Sequence, residues 1–140
     1  MIDNKECLFC KIAAKEIPAQ IIYEDAQTVA FLDISPNNHG HTLVIPKDHF
    51  ENIYTLPQEA LCQVMLTVQK VAVAVKIATQ ADGINVTNNN ESAAGQEIFH
   101  SHFHVIPRHS NDGFPHWPHK AYIGDEMEKM AEKIKKEVAA

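Results

Sequence analysis

Three histidines, His100, His102 and His104, recur at every second position of the segment 98–107. Successive side chains of a strand point to opposite faces, so this spacing predicts three imidazoles on one face, roughly 6–7 Å apart. The residues expected on the other face are Ser101, Phe103 and Val105. Such a row can bind a metal ion, attack an electrophile or hold a phosphate.

The row alone leaves three interpretations open. Imidazoles at alternate positions can reach one zinc ion, and a three-histidine set leaves a position open for catalysis. A loop of small and turn-forming residues, 89–95, directly precedes the row, and such a loop lets backbone N–H groups approach an anion. A polar surface strand without chemistry is the third interpretation.

A second group with metal-ligand spacing is the pair Cys7 and Cys10. Two thiolates do not complete a zinc site, so the pair predicts either half of one or two reduced cysteines in a short helix. Cys62, the third cysteine, falls in an apolar helical stretch and is expected in the core.

Short strands and one long helix must position these residues. Thr55 and Gln58 have capping-box spacing around Pro57, which predicts the start of a helix that ends near 82–83. A C-terminal helix is predicted from the apolar spacing between Met127 and Val138. The other predicted elements are a helix over 9–15 and strands over 20–24, 28–33, 42–45, 84–87 and 98–107.

This order of elements predicts an α+β fold with a mostly antiparallel sheet. The long helix is expected on one face of the sheet, and the histidines on the other, open to a ligand. The 140 residues fit one domain, 1–140, with a motif-bearing core over 7–110 and a C-terminal loop and helix over 111–140.

Composition narrows the classes of function. The net charge of −6 argues against a nucleic-acid polymer as ligand, although it permits a mononucleotide. The sequence has no apolar run near the ~18–20 residues that span a bilayer, and its polar start over residues 1–6 predicts no signal peptide. We therefore expect a cytoplasmic protein without a membrane partner.

The motif from Gly95 to Ile106 resembles the signature of the histidine triad (HIT) nucleotide hydrolases and transferases. The resemblance extends over roughly 7–110, and small bacterial Hint-like members are the most similar. Pro107-Arg108 also occurs in the Fhit-like branch. Further matching segments are Ile17–Ala19, Tyr23–Asp25, Phe31–Pro36, Gly40–Lys47 and Asn88–Asn90.

The resemblance implies a HIT-like fold of about five strands, a homodimer, and attack on the α-phosphorus of a nucleoside 5′-phosphate derivative. It makes His102 the nucleophile, with its second ring nitrogen held by the backbone carbonyl of His100. His104 is expected at the phosphate oxygens, Gln96 at the bridging or leaving-group atom, and His41 behind the triad, where it orients the row.

The resemblance also implies a purine nucleotide pocket. Asn89 is expected near the phosphate or ribose, and Asp33 at the ribose hydroxyls. The residues expected around the base, which could equally be ordinary core, are Phe9, Ile12, Ile17 and Ile34. Glu97 stands where many Hint-like members have a serine or threonine, and this departure puts the leaving-group contacts in doubt.

Some family members hold a structural zinc ion, and this chain has residues at all four matching positions: Cys7, Cys10, His49 and His100. A Cys2His2 set is closed and tetrahedral, so this Zn²⁺ would be structural. It would also engage His100, which disfavours a zinc hydrolase that uses the triad as ligands. No organic cofactor is implied.

These inferences favour a nucleotide hydrolase or nucleotidyl transferase that acts on a purine nucleoside phosphoramidate, such as adenosine 5′-monophosphoramidate. Dinucleoside polyphosphate hydrolysis is the second enzymatic interpretation. The third is a nucleotide-binding regulatory module whose turnover is incidental.

Overall fold

A computed structural model describes residues 4–140, so the first three residues of the polar start lie outside the described part. Short 3₁₀ turns occur at Ile53–Thr55 and Ser92–Ala94. The helices and strands are α1 (Leu8–Ala13), β1 (Ile21–Glu24), β2 (Thr28–Leu32), β3 (Thr42–Pro46), α2 (Gln58–Thr79), β4 (Gly83–Thr87), β5 (Phe103–Arg108) and α3 (Glu126–Ala139).

The five strands form one antiparallel sheet in the order β1-β2-β3-β5-β4. The α+β prediction and the strand count are therefore confirmed. The last strand in the chain, β5, lies between β3 and β4, so the strand that carries His104 is hydrogen-bonded on both sides. Backbone pairing on both sides makes β5 a rigid support.

Each face of the sheet packs against a different helix. On one face, the α2 residues Val64, Val68, Val71 and Val75 form a buried cluster with β-strand residues that include Phe103 and Val105. On the opposite face, α1 contributes Phe9 and Ile12 to a second buried cluster. The strand residues of this cluster are Val29, Phe31, Leu43 and Ile45. The prediction that α2 packs on the face opposite the histidines is confirmed.

The start of α2 differs from the sequence prediction. The helix begins at Gln58 after Pro57, and Thr55 belongs to the preceding 3₁₀ turn. There the capping box joins Asn52 and Thr55, and the Thr55 hydroxyl donates to the Asn52 carbonyl at 3.0 Å. The Thr55–Gln58 capping box is therefore wrong, because Thr55 is the last residue of the turn that Asn52 caps, and α2 begins after Pro57 with no side-chain cap.

Helix α2 is long and apolar enough to cross a bilayer by length and composition alone, contrary to the expectation from the sequence. Core helices pass the same test, and one face of α2 packs on the sheet. Its other face exposes Leu66, Val73 and Ile77. Cys62 is also exposed, so its assignment to the core is wrong.

The C-terminal segment, 111–140, is exposed at every residue except the half-buried Asp112. Helix α3 forms as predicted, and all of its residues are exposed. Its apolar stripe faces solvent at Met127, Met130, Ile134 and Val138. The stripe is thus a helix face that this chain by itself leaves uncovered.

Candidate active site and metal centre

The histidine row is only partly a strand. Strand β5 begins at Phe103, so His100 and His102 precede it and only His104 lies within it. The single-strand prediction is wrong at this point, because the Ser101 backbone N–H donates to the Phe50 carbonyl at 2.6 Å instead of joining the sheet. The row still stays together, since the rings of His102 and His104 are 5.1 Å apart.

His102 has one ring nitrogen fixed by the backbone. Its Nδ1 lies 2.7 Å from the His100 carbonyl oxygen, which can only accept, so Nδ1 carries the proton. The other nitrogen, Nε2, is then left with its lone pair. Burial lowers the pKa of His102, while the His100 carbonyl and Asp33 act in the opposite direction. A neutral imidazole with an available lone pair is the form that can act as a nucleophile.

His104 is held in the opposite tautomer through His41. The Asn37 backbone N–H donates to Nδ1 of His41 at 3.0 Å, so the His41 proton must be on Nε2. That nitrogen lies 2.8 Å from Nδ1 of His104 and donates to it. His104 therefore carries its own proton on Nε2 and presents a donor where His102 presents a lone pair.

Burial also keeps this second pair of imidazoles neutral. It lowers the pKa of His41, against the pull of Asp33. It lowers the pKa of His104 to about 4, with smaller contributions from His102 and His41. The tautomers assigned from the hydrogen bonds are therefore those present near neutral pH.

Ligand atoms of Asp33, His41 and His104 also lie within 4.8 Å of one another. A metal ion there would need the lone pair of His41 Nε2, but that nitrogen carries the proton. The Asp33 carboxylate lies 3.7 Å from the same nitrogen and accepts the Ser35 backbone N–H at 2.8 Å. His41 and His104 thus form a hydrogen-bonded relay with Asp33 beside it, rather than a metal site.

A second group, Cys7, Cys10, His49 and His100, has the geometry of a metal centre. Its four ligand atoms lie within 4.8 Å of one another. Nδ1 of His100 is 3.5 Å from both sulfurs, and Nδ1 of His49 is 3.4 Å from the sulfur of Cys10. Zinc bonds to sulfur and nitrogen imply a tetrahedron with S–N edges of about 3.5 Å, so the four residues fit a zinc ion.

The protonation of His100 also suits a metal ligand. Its Nε2 donates to the Pro46 carbonyl at 2.8 Å, which leaves the lone pair on the nitrogen that faces the two sulfurs. Burial lowers the pKa of His100 to about 4. His100 therefore contributes to both candidate sites, since its ring nitrogen faces the two sulfurs and its carbonyl accepts from His102.

The loop before the row is fixed by Gln96. Its buried amide accepts the Glu91 backbone N–H at 2.8 Å and donates to the Glu51 carbonyl at 2.6 Å and the Ile98 carbonyl at 3.1 Å. The structure therefore places Gln96 inside the loop, bonded to backbone atoms; contact with a leaving group stays a prediction. Glu97 is exposed.

The predicted nucleotide-binding residues fall in different environments. Phe9 is buried, with its ring edge-on to His102 at 5.1 Å. Ile17 packs partly buried beside the second cluster, of which Ile12 is a buried member. Ile34 is 97% exposed, so it could only flank a ligand at the surface. Asn89 is half-buried beside Gly95, whose positive φ of 92° suits glycine.

Two asparagines near the triad carry no predicted role, although the sequence prediction includes their segment in the matching motifs. Asn88 donates to the His102 carbonyl, and Asn90 accepts the Ile53 backbone N–H. The signal in the sequence is the run of three asparagines, 88–90. Residue propensities alone predict a loop for such a run, because the sequence does not reveal side-chain partners on another segment.

Comparison with known proteins finds a family model and several relatives that match this chain. The profile of the HIT domain matches residues 14–111. An uncharacterised HIT-like protein of Methanocaldococcus jannaschii is 50% identical over 107 residues, covering 76% of this chain and 82% of that protein. Protein hit of Bacillus subtilis is 42% identical over 140 residues, covering 97% of each. Adenosine 5′-monophosphoramidase of Candida albicans is 36% identical over 145 residues, covering 99% and 95%.

Solved structures agree with the fold. A Streptococcus mutans protein superposes with a TM-score of 0.92 at 42% identity, covering 97% of this chain and 87% of that one. A zinc-bound histidine triad family protein of Mycobacterium smegmatis superposes with a TM-score of 0.75 at 38% identity, covering 83% and 84%.

Proposed function

The chain belongs to the HIT family, and from this premise we propose that it hydrolyses nucleoside 5′-phosphate derivatives through a nucleotidyl-His102 intermediate. The observation that carries the proposal is the pair of opposite tautomers in adjacent rings. His102 Nε2 carries a lone pair and His104 Nε2 carries a proton. The centroids of the two rings are 5.1 Å apart. One can attack phosphorus while the other donates to a phosphate oxygen.

In the first step, Nε2 of His102 attacks the α-phosphorus, and the bond from phosphorus to the leaving group breaks. The leaving group takes up a proton from solvent. The imidazole becomes cationic because it keeps its Nδ1 proton, and the His100 carbonyl at 2.7 Å stabilises that charge. His104 donates to the phosphate oxygens as their charge develops.

In the second step, water attacks the phosphorus, the bond to Nε2 breaks, and a nucleoside monophosphate leaves. The lone pair returns to Nε2, and water releases a proton to solvent. His41 holds the His104 tautomer throughout without touching substrate, so it acts as a positioning residue in this mechanism.

A purine nucleoside phosphoramidate is the proposed substrate. The similarity to the Candida albicans enzyme supports it, and so does the acidic residue Glu97, which disfavours an anionic leaving group. The proposed nucleotide contacts remain those of the sequence prediction: Asp33, Asn89, Gln96, Phe9, Ile17 and Ile34.

Dinucleoside polyphosphate hydrolysis is less well supported. Arg108, which follows the triad as in Fhit-like proteins, makes a bidentate pair with Asp112 at 2.7 and 2.9 Å and donates to Asn85 at 2.8 Å. Its guanidinium is therefore committed to the protein and is not placed to bind a polyphosphate.

A zinc ion at Cys7, Cys10, His49 and His100 is part of the proposal, with a structural role. When bound, it fixes α1 and the loop of His49 to the start of the histidine row. Zinc measured by elemental analysis in protein from zinc-replete medium should approach one equivalent, and less than a tenth of an equivalent would exclude the site.

A homodimer and a cytoplasmic location complete the proposal. The apolar residues exposed on α2 and the edge position of β4 support contact with a second copy. Light scattering after gel filtration should give twice the chain mass for the protein and its Lys5→Glu control, and a lower mass for Leu66→Glu.

The proposed cytoplasmic location is supported by the reduced thiols at the proposed metal centre, which agree with a reducing compartment.

The decisive experiment for the reaction uses His102→Asn. Wild-type protein quenched during turnover of an adenosine phosphoramidate should show a nucleotidyl adduct on His102 by mass spectrometry. The variant should lose turnover, both with this substrate and with a diadenosine polyphosphate, and should keep nucleotide binding. Tight binding with negligible wild-type turnover on both substrates would favour a regulatory module instead.

A further inference from the structure

Asn88 makes a direct contact with the backbone of the proposed nucleophile. Its side-chain Nδ2 group donates to the carbonyl oxygen of His102 at 2.8 Å. His102 is therefore fixed at two points, through its ring on the His100 carbonyl and through its own carbonyl on Asn88. The second point restrains the main chain from which the ring projects.

This side chain stands where the sheet stops supporting the row. Backbone pairing between β4 and β5 ends with Thr87 opposite His104. His102 is buried and lies directly before β5, which begins at Phe103. The Asn88 amide supplies the His102 carbonyl with a donor at the place where the β4 backbone turns away.

The orientation of Asn88 is set by a chain of amides. The Ile53 backbone N–H donates to Asn90 Oδ1 at 2.8 Å, and Asn90 Nδ2 donates to Asn88 Oδ1 at 2.6 Å. The chain starts at a backbone donor and ends at a backbone acceptor, the His102 carbonyl. Both ends have one possible role, so each amide between them has one orientation that satisfies its partners.

The segment 50–53, which anchors the chain of amides at Ile53, also bonds Ser101 and the loop before the histidine row. The Phe50 carbonyl accepts the Ser101 N–H at 2.6 Å, and the Glu51 carbonyl accepts Gln96 Nε2 at 2.6 Å. Glu91, between the asparagines and Gln96, has φ 70° and ψ 157°, a region that favours glycine. Hydrogen bonds from both sides thus hold the loop in a conformation that its sequence does not prefer.

We propose that Asn88, oriented by Asn90, is a positioning residue that holds the His102 backbone so that Nδ1 meets the His100 carbonyl and Nε2 faces the substrate. This inference rests on the proposed function for its kinetic consequence. Without the Asn88 donor, the start of β5 can shift, and the ring can adopt either tautomer. A displacement of about 1 Å at a reacting group can slow a reaction about 10²-fold.

Asn88→Asp is the sharpest test, since it keeps the size of the side chain and removes the amide donor to the His102 carbonyl. The rate of nucleotidyl-His102 formation in single turnover should fall about 10- to 100-fold, with AMP affinity changed less than about threefold. Asn111→Asp, an exposed asparagine with the same charge change, is the matched control and should behave as wild type.

Asn90→Asp tests the chain of amides separately. It keeps an acceptor for Ile53 but loses the donor to Asn88, so it should slow the same step by a smaller factor. The double variant of Asn88 and Asn90 should be no slower than Asn88→Asp, because both act through one hydrogen bond. Additive losses would overturn the chain. If Asn88→Asp fails to fold, Asn90→Asp carries the test.

Nitrogen NMR of the His102 ring separates this inference from the proposed reaction. Wild type should show the proton on Nδ1, and Asn88→Asp a mixture of the two tautomers. If no nucleotide is turned over while the tautomer still depends on Asn88, the proposed function fails and the positioning role stands. A wild-type tautomer together with a wild-type rate in Asn88→Asp would overturn the inference.

Discussion

The two ends of the histidine row use the same residue type for different tasks. At the His100 end, the ring donates through Nε2 to a backbone carbonyl and directs its lone pair at two sulfurs. At the His104 end, the ring accepts through Nδ1 from His41 and directs a proton outward. The partner of one ring nitrogen decides what the other can do, so residue type alone does not assign a histidine its role.

The largest effect is expected at the metal end. Cys10→Ser removes a thiolate from the proposed zinc site, and the free energy of unfolding should fall by at least about 3 kcal/mol, since metal binding adds directly to folding free energy. Chemical denaturation together with zinc analysis measures both quantities.

Cys62→Ser is the control for this variant, because Cys62 is exposed on α2. It should keep its zinc and its stability. Equal stability of the Cys10 and Cys62 variants would show that the metal end has no structural role.

The relay end should affect rate rather than stability. His41→Asn removes the donor to His104, so His104 loses its fixed tautomer, and kcat should fall about 10- to 100-fold. Zinc content should be unchanged, as measured by elemental analysis. A variant with normal kcat would mean that His104 does not need His41, and the contrast between the two ends would fail.

A pH effect tests the relay end in a second way. The pKa of His104 is lowered to about 4 by burial, below the unfolded value of roughly 6.5. The unfolded chain therefore binds more protons between these values, and stability is full above about pH 6.5 and falls as the pH drops towards 4. The contribution of His104 to the slope is at most about 1.4 kcal/mol per pH unit.

The comparison that isolates this contribution is between wild type and His104→Gln, both unfolded in urea at several pH values. The variant should lose stability less steeply on acidification. Parallel curves would show that His104 titrates alike in the folded and unfolded chains.

The smallest effect concerns Glu97, which precedes the histidine row in sequence and is exposed. Glu97→Ser should raise kcat/KM for a diadenosine polyphosphate a few-fold, by less than about 1 kcal/mol, because an exposed charge is well screened. The kcat/KM for an adenosine phosphoramidate should hardly change. A larger loss with the phosphoramidate would assign Glu97 a direct contact with that substrate.

The sequence predicted much of the fold because its signals are local. The apolar spacing of α2 and the turn residues around each strand depend on near neighbours, and the predicted elements formed. One error is a choice between near neighbours, one is the choice of the buried helix face, and one depends on a partner far along the chain. Thr55 bonds Asn52 instead of capping α2, Cys62 is exposed, and β5 starts at Phe103 because Ser101 bonds Phe50.

By itself, the sequence determined the strand-and-helix order, the chemical groups of the triad and the resemblance that the HIT profile bears out. The tertiary structure alone decided which nitrogen of His41, His100 and His104 carries its proton. It also joined Asn88 and Asn90 to His102 and gathered Cys7, Cys10, His49 and His100 into one group. The physical reason is that hydrogen bonds and metal ligation require contacts between residues far apart in the chain, and only folding creates those contacts.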